Sequence, residues 1–124
     1  MSKVLIIEDS EAARAQMEIL VTELNHICLG AANGREAINL LSEQGDVDLI
    51  VTDIFMPEMD GLETIELIAQ TYPKIRVIAV SAGGVGMSGA SMLEIASGMG
   101  ARAVLNKPFG AEDFKNTIAA VLNS

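Results

Sequence analysis

Short aliphatic runs alternate with longer amphipathic stretches five times along this chain, and few architectures accommodate that rhythm. Residues 4–7 (Val-Leu-Ile-Ile) form a β-branched run that ends at Glu8 and Asp9, which reads as a strand buried on both faces. Ser10 is placed to cap a helix, and Ala13, Met17, Leu20 and Leu24 then recur at helical spacing to about Asn25. Residues 27–32 read as a second strand, Asn33-Gly34 as a turn, and Ala37, Ile38 and Leu41 as a helix ending near Gly45. Residues 48–52 give a third strand with Asp53 at its end. A loop over 56–61 follows, with Asp60 as a helix cap, and then a helix marked by Leu62, Ile65, Ile68 and Ala69. Residues 75–81 form a fourth strand, followed by a glycine-rich loop over 83–89 and a helix whose face carries Met92, Ile95, Ala96 and Met99. Residues 103–106 form the fifth strand, and Phe114, Ile118, Val121 and Leu122 mark the last helix. Glu112 and Asp113 sit in its first turn, where the helix dipole favours negative charge. Five βα units of this kind predict an α/β fold, a parallel sheet with helices on both faces.

With 124 residues, half of them hydrophobic, the chain suffices for one domain with one proper core. We expect a single domain over 1–124 and no output domain. Aromatics are scarce, so the core must be aliphatic. The net charge of −9 repels nucleic-acid phosphates and anionic membranes and favours metal cations and basic partners. The N-terminal apolar run is too short for a signal peptide or a membrane span, so the expected compartment is the cytoplasm, with no direct nucleic-acid binding and no membrane insertion. Cys28, the single cysteine, lies in an apolar stretch and reads as a small buried residue. His26, the single histidine, reads as structural or exposed.

Open α/β sheets bind ligands beyond the carboxyl ends of their strands. Here the first strand delivers Glu8 and Asp9, the third Asp53, the fourth Ser81 and the fifth Lys107. Each alone is an ordinary solvated or capping residue, but together they bring three acids, a hydroxyl and an ammonium to one edge. Two like charges about 4 Å apart repel by roughly 4 kcal/mol at an effective dielectric of 20. Such a cluster raises its own pKa values unless a cation sits among the oxygens. An all-oxygen donor set suits a hard cation, Mg²⁺ in particular. A carboxylate beside a metal, with a lysine and a hydroxyl opposite, is equipped for phosphoryl transfer, with Asp53 as nucleophile and Ser81 and Lys107 neutralising the phosphoryl oxygens.

The ordered set Glu8-Asp9, Asp53 with Met56-Pro57 and Gly61, Ser81-Ala82 and Lys107-Pro108-Phe109 resembles the response-regulator receiver domains of two-component signalling. The resemblance spans essentially the whole chain. It implies a flavodoxin-like (βα)5 fold with strand order 2-1-3-4-5 and phosphorylation of Asp53. It also implies Mg²⁺ held by Asp9, by Asp53, by the backbone carbonyl of Phe55 and by Glu8 through water. Ser81 is then the switch hydroxyl and Lys107 the phosphate-pairing lysine. The implied donor is a histidine kinase or phosphotransfer protein, and the output is a phosphorylation-dependent contact with a downstream protein or a relay of the phosphate. Two positions depart from the family pattern. Leu105 stands where an aromatic switch residue is usual, and the acid pair is Glu-Asp rather than Asp-Asp. Phe55, two residues beyond the phosphosite, is expected to shield an acyl phosphate from water.

Two other classes of function compete. A constitutive interaction module that ignores phosphate is kept open by Leu105 and opposed by the repulsive acid cluster. A phosphohydrolase built on Asp53 lacks a second acid two residues on, where Phe55 stands. Residues 84–89 (Gly-Val-Gly-Met-Ser-Gly) match the dinucleotide pattern G-x-G-x-x-G. The match follows the fourth strand rather than the first and no ribose-binding acid follows, so the segment reads as a loop.

Overall fold

In the computed structural model the run Lys3–Ile7 forms strand β1, and its consecutive side chains go to opposite sides of a sheet. Val4 and Ile6 join one core, Leu5 and Ile7 the other. A strand covered on both faces has no solvated side to alternate with, which is why the run contains no polar gap. The structure describes residues 1–54, 61–81, 98 and 100–123. The loop over 56–60, the carbonyl of Phe55, the glycine-rich segment 83–89 and the helix expected to carry Met92, Ile95, Ala96 and Met99 lie outside the described residues.

The remaining elements follow in order: α1 (Glu11–Glu23), β2 (Ile27–Ala31), α2 (Gly34–Gln44), β3 (Leu49–Asp53), α3 (Gly61–Thr71), β4 (Arg76–Ser81), β5 (Ala103–Asn106) and a last helix, here α4 (Ala111–Leu122). All four strand pairings are parallel and the sheet order is β2-β1-β3-β4-β5. One core gathers Leu5, Ile7, Ile50 and Ala79 with Ala37 and Leu41 of α2 and Ile65 and Ile68 of α3. The other gathers Val4, Ile6, Val51 and Val80 with Met17 and Val21 of α1 and Phe114, Ile118 and Val121 of α4. Helices therefore cover both faces, and the order is that of the flavodoxin-like fold.

Three sequence readings change in detail. Asn33 is not simply a turn residue: it is the N-cap of α2, its side chain accepting from the Glu36 N–H at 2.9 Å. A short amide serves equally in a turn and at a cap, so local composition does not separate the two. Cys28 is half-buried rather than buried, because β2 is the edge strand of the sheet, with a neighbouring strand on one side only. Desolvation, helped by the charge of Glu18, pushes its thiol up to about 12, which leaves it inert at neutral pH. Asp53 is the last residue of β3 rather than the first beyond it. His26 accepts a hydrogen bond at Nδ1 from the Ser2 N–H at 3.1 Å, tying the chain start to the turn before β2. Gly45 closes α2 at φ 72°, a left-handed position that a Cβ would strain, and its N–H reaches the Leu41 carbonyl.

Candidate functional site

Because all strands run the same way, their carboxyl ends line one edge, and β1 and β3 are neighbours there. That adjacency sets Glu8 and Asp9 beside Asp53. One carboxylate oxygen from each of the three lies within 4.8 Å of the others. Glu8 is 1% exposed and Asp53 7%, while Asp9 faces solvent. β4 ends on Ser81, paired in register with Asn106 of β5, and Lys107 follows directly. β5 is two strands removed from β3, so only a long side chain can bridge the gap. The Lys107 ammonium does so, donating to Glu8 Oε1 at 2.6 Å and to Asp53 Oδ2 at 2.9 Å. The structure thus brings together Glu8, Asp9, Asp53 and Lys107 as the sequence reading expects, and β4 contributes Ser81 to the same sheet edge.

The electrostatics follow from this packing. Burial alone would lower the Lys107 pKa, but hydrogen bonds to Glu8 and Asp53 and their negative charges outweigh it and raise the pKa above its ordinary value. In this arrangement the ammonium is the cation that the acid cluster requires. Asp9 is pushed the other way for an acid. Its hydrogen bond with Glu8, then desolvation, then the Glu8 charge raise its pKa above the ordinary value. An ionised Asp9 therefore costs folding stability. The cost grows as pH rises from the ordinary value of 3.8 and is fully present above the folded value. Asp9→Asn is expected to raise the thermal midpoint at pH 7 in the presence of a chelator, with the gain shrinking toward pH 3. A midpoint at pH 7 no higher than the parent's would contradict this account.

Glu8 is held at four points. Its N–H donates to the Ala31 carbonyl at 3.0 Å, and its carbonyl accepts from Arg14 Nη1 at 2.8 Å. Oε1 accepts from Lys107, and Oε2 accepts from the Ser10 N–H at 3.2 Å. Sequence reading alone gives Arg14 no role; its signal is only its place in the first turns of the helix after the acid pair. Ser10 caps α1 as expected, its hydroxyl accepting from the Ala13 N–H at 3.3 Å. Leu105, at the position where the family pattern has a ring, is 8% exposed and packs in the core shared by Val80, Phe114 and Ile118. Phe109 stacks on Phe114 with centroids 5.5 Å apart, which anchors the turn carrying Lys107. An open groove of about 710 Å³, lined by Met17, Leu20, Phe109 and Lys107 among others, runs beside that turn. Among the described residues no helix is long and apolar enough to cross a membrane.

Comparison with known proteins agrees with this geometry. A family model of the response regulator receiver domain matches residues 4–119. The chain is 34% identical over 122 residues to chemotaxis protein CheY of Bacillus subtilis, covering 98% of each protein. It is 37% identical over 79 residues to a segment of sensor kinase CckA of Brucella abortus, a match that covers 63% of this chain and only 8% of that protein. The structure of chemotaxis protein CheY4 of Vibrio cholerae superposes with a TM-score of 0.86 at 26% identity, covering 98% of each chain. With five parallel strands in the order 2-1-3-4-5 and an acidic triad at their carboxyl edge, the chain belongs to the response regulator receiver domain family of two-component signalling.

Proposed function

We propose that this receiver domain accepts a phosphoryl group on Asp53 from a histidine kinase or phosphotransfer protein, with Mg²⁺ bound among Glu8, Asp9, Asp53 and the Phe55 carbonyl. The observation that carries the reading is the Asp53 carboxylate itself. It is nearly buried at the carboxyl end of β3, grouped with two further acids and contacted by Lys107 at 2.9 Å. The donor set fits the metal, since three carboxylates within 4.8 Å offer hard oxygens and the described residues near them bring no competing thiol or imidazole. When bound, Mg²⁺ supplies positive charge for the phosphoryl oxygens and offsets the repulsion among the acids.

The chain's own residues do the rest. An ionised Asp53 needs no general base: one oxygen forms a bond to phosphorus as the bond to the donor's nitrogen breaks, and the released imidazole takes up a proton. Lys107 leaves its carboxylate partners to pair with a phosphoryl oxygen, and Ser81 supplies a hydroxyl to another. The changed contacts of Ser81 and Lys107 bias the end of β4 and the start of the turn after β5, and a partner protein reads that change. Leu105 lacks a ring to swing, so the relay runs through packing against Val80 and Phe114 rather than through an aromatic rotamer.

The test is intact mass after incubation with acetyl phosphate, with and without Mg²⁺, beside Asp53→Asn and a known receiver as positive control. A Mg²⁺-dependent gain of one phosphoryl group is expected in the parent and none in the variant. A parent that stays unmodified while the control reacts, both with acetyl phosphate and with a phosphorylated protein donor, would leave the constitutive interaction module as the better account.

A further inference from the structure

We infer that Arg14, braced by Glu18 over Gly30, is a positioning residue for the acidic edge: it fixes the Glu8–Asp9 peptide plane so that the Asp9 carboxylate is aimed at the Mg²⁺ site. The inference rests on the metal reading proposed above.

The argument starts from Gly30, in the interior of β2. A glycine there weakens a strand, because it costs backbone entropy and packs no side chain. Its neighbours account for it. A Cβ built at position 30 would stand 2.4 Å from Glu18 Oε1 and 3.2 Å from Arg14 Cδ. The two α1 side chains therefore lie directly on the β2 backbone, and the glycine makes the room. Arg14 Nε in turn lies 3.7 Å from Glu18 Oε1, an i,i+4 pair in which the Arg14 side chain is only 20% exposed.

The other end of the guanidinium does the positioning. Side chains on a helix lean toward its N-terminus, so Arg14 reaches back past the Ser10 cap to the end of β1. There Nη1 donates to the Glu8 carbonyl at 2.8 Å. That carbonyl shares one rigid peptide plane with the Asp9 N–H, so holding the oxygen sets the direction in which Asp9 leaves the strand. The Glu8 side chain has its own anchors in Lys107 and the Ser10 N–H, whereas Asp9 follows this plane directly along the chain. Partners that orient metal ligands typically change affinity by about tenfold to a hundredfold when removed.

Sign separates this role from simple electrostatics. Deleting a cation beside three acids should strengthen Mg²⁺ binding if charge alone mattered; loss of positioning should weaken it. The experiment is a MgCl2 titration of the full chain followed by the backbone amide shifts of Glu8 and Asp9. It covers the parent, Arg14→Ala, Gly30→Ala, the double variant and Arg35→Ala, an exposed arginine of α2 serving as control, each with its thermal midpoint. Arg14→Ala is expected to weaken Mg²⁺ binding by roughly tenfold or more, and Gly30→Ala to weaken it less. The double variant should be no weaker than Arg14→Ala alone, since both changes break one linkage, and Arg35→Ala should match the parent. Mg²⁺ affinity in Arg14→Ala equal to or tighter than the parent's overturns the inference. Should Arg14→Ala fail to fold, Gly30→Ala decides, because its methyl displaces the flexible end of Glu18, and parental affinity there is equally fatal. A parent that binds no Mg²⁺ refutes the metal reading instead and removes this inference with it.

Discussion

A Lys107→Ala protein is expected to lose about 2–3 kcal/mol of stability at pH 7 in metal-free solution, less than the roughly 3–5 kcal/mol that breaking a fully buried ion pair costs. Glu8 and Asp53 share this one ammonium, at 2.6 and 2.9 Å, and their side chains are 1% and 8% exposed. Without it, two carboxylates face each other in a poorly solvated site. The lysine side chain is 29% exposed, so water entering the vacated space softens the loss, which is why the figure is kept low. The pH dependence has a definite sign. In the parent, the raised pKa of Lys107 means its contribution is complete below the ordinary value of 10.5 and is lost only as pH climbs through the folded value. Urea denaturation of variant and parent at pH 7 and at a pH above 10.5 checks the sign, with the larger gap at pH 7. Equal stability of variant and parent at pH 7 would show that the bridge does not hold the acids in solution. Millimolar Mg²⁺ should restore part of the loss if the acids bind the ion as proposed.

Phe114→Ala is expected to cost about 3–5 kcal/mol, the range for removing a buried phenylalanine. That is a large share of the 5–15 kcal/mol that a domain typically has. Phe114 is fully buried and ranks among the largest such side chains. It lies in a core otherwise built of valine, leucine, isoleucine and Met17, which fill a ring-sized hole poorly because the surrounding strands are fixed by their ladders. Its stack with Phe109 adds a consequence for the site. Phe109 is two residues beyond Lys107, so loss of the ring beneath it frees the turn that aims the lysine. The urea midpoint should fall with little change in slope. Phe109→Ala, at a partly buried position, should cost markedly less. A loss under about 1 kcal/mol for Phe114→Ala would mean that the core closes over the cavity.

Much of this protein is legible before any coordinates. The unbroken aliphatic run 4–7 announces a strand with two buried faces, and five repetitions of strand and helix announce a parallel sheet. Parallel strands share one carboxyl edge, so Glu8, Asp9, Asp53, Ser81 and Lys107 can be assigned to a common rim from their places at strand ends alone. These are local facts: periodicity and termination are written in consecutive residues. What needed the tertiary structure is of another kind. The side-by-side order of β1 and β3 decides that the acid pair meets Asp53. The reach of one side chain across two strands decides that Lys107 bridges Glu8 and Asp53 rather than extending into solvent. The edge position of β2 decides that Cys28 is half-buried, and the helix beginning at Gly34 turns Asn33 from a turn residue into a cap. Gly30 and Arg14 show the difference most plainly. In the sequence they are a small residue and a solvated cation 16 positions apart. Only the packing of α1 against β2 puts them in contact, because such contacts depend on which elements become neighbours, and no window of consecutive residues records that.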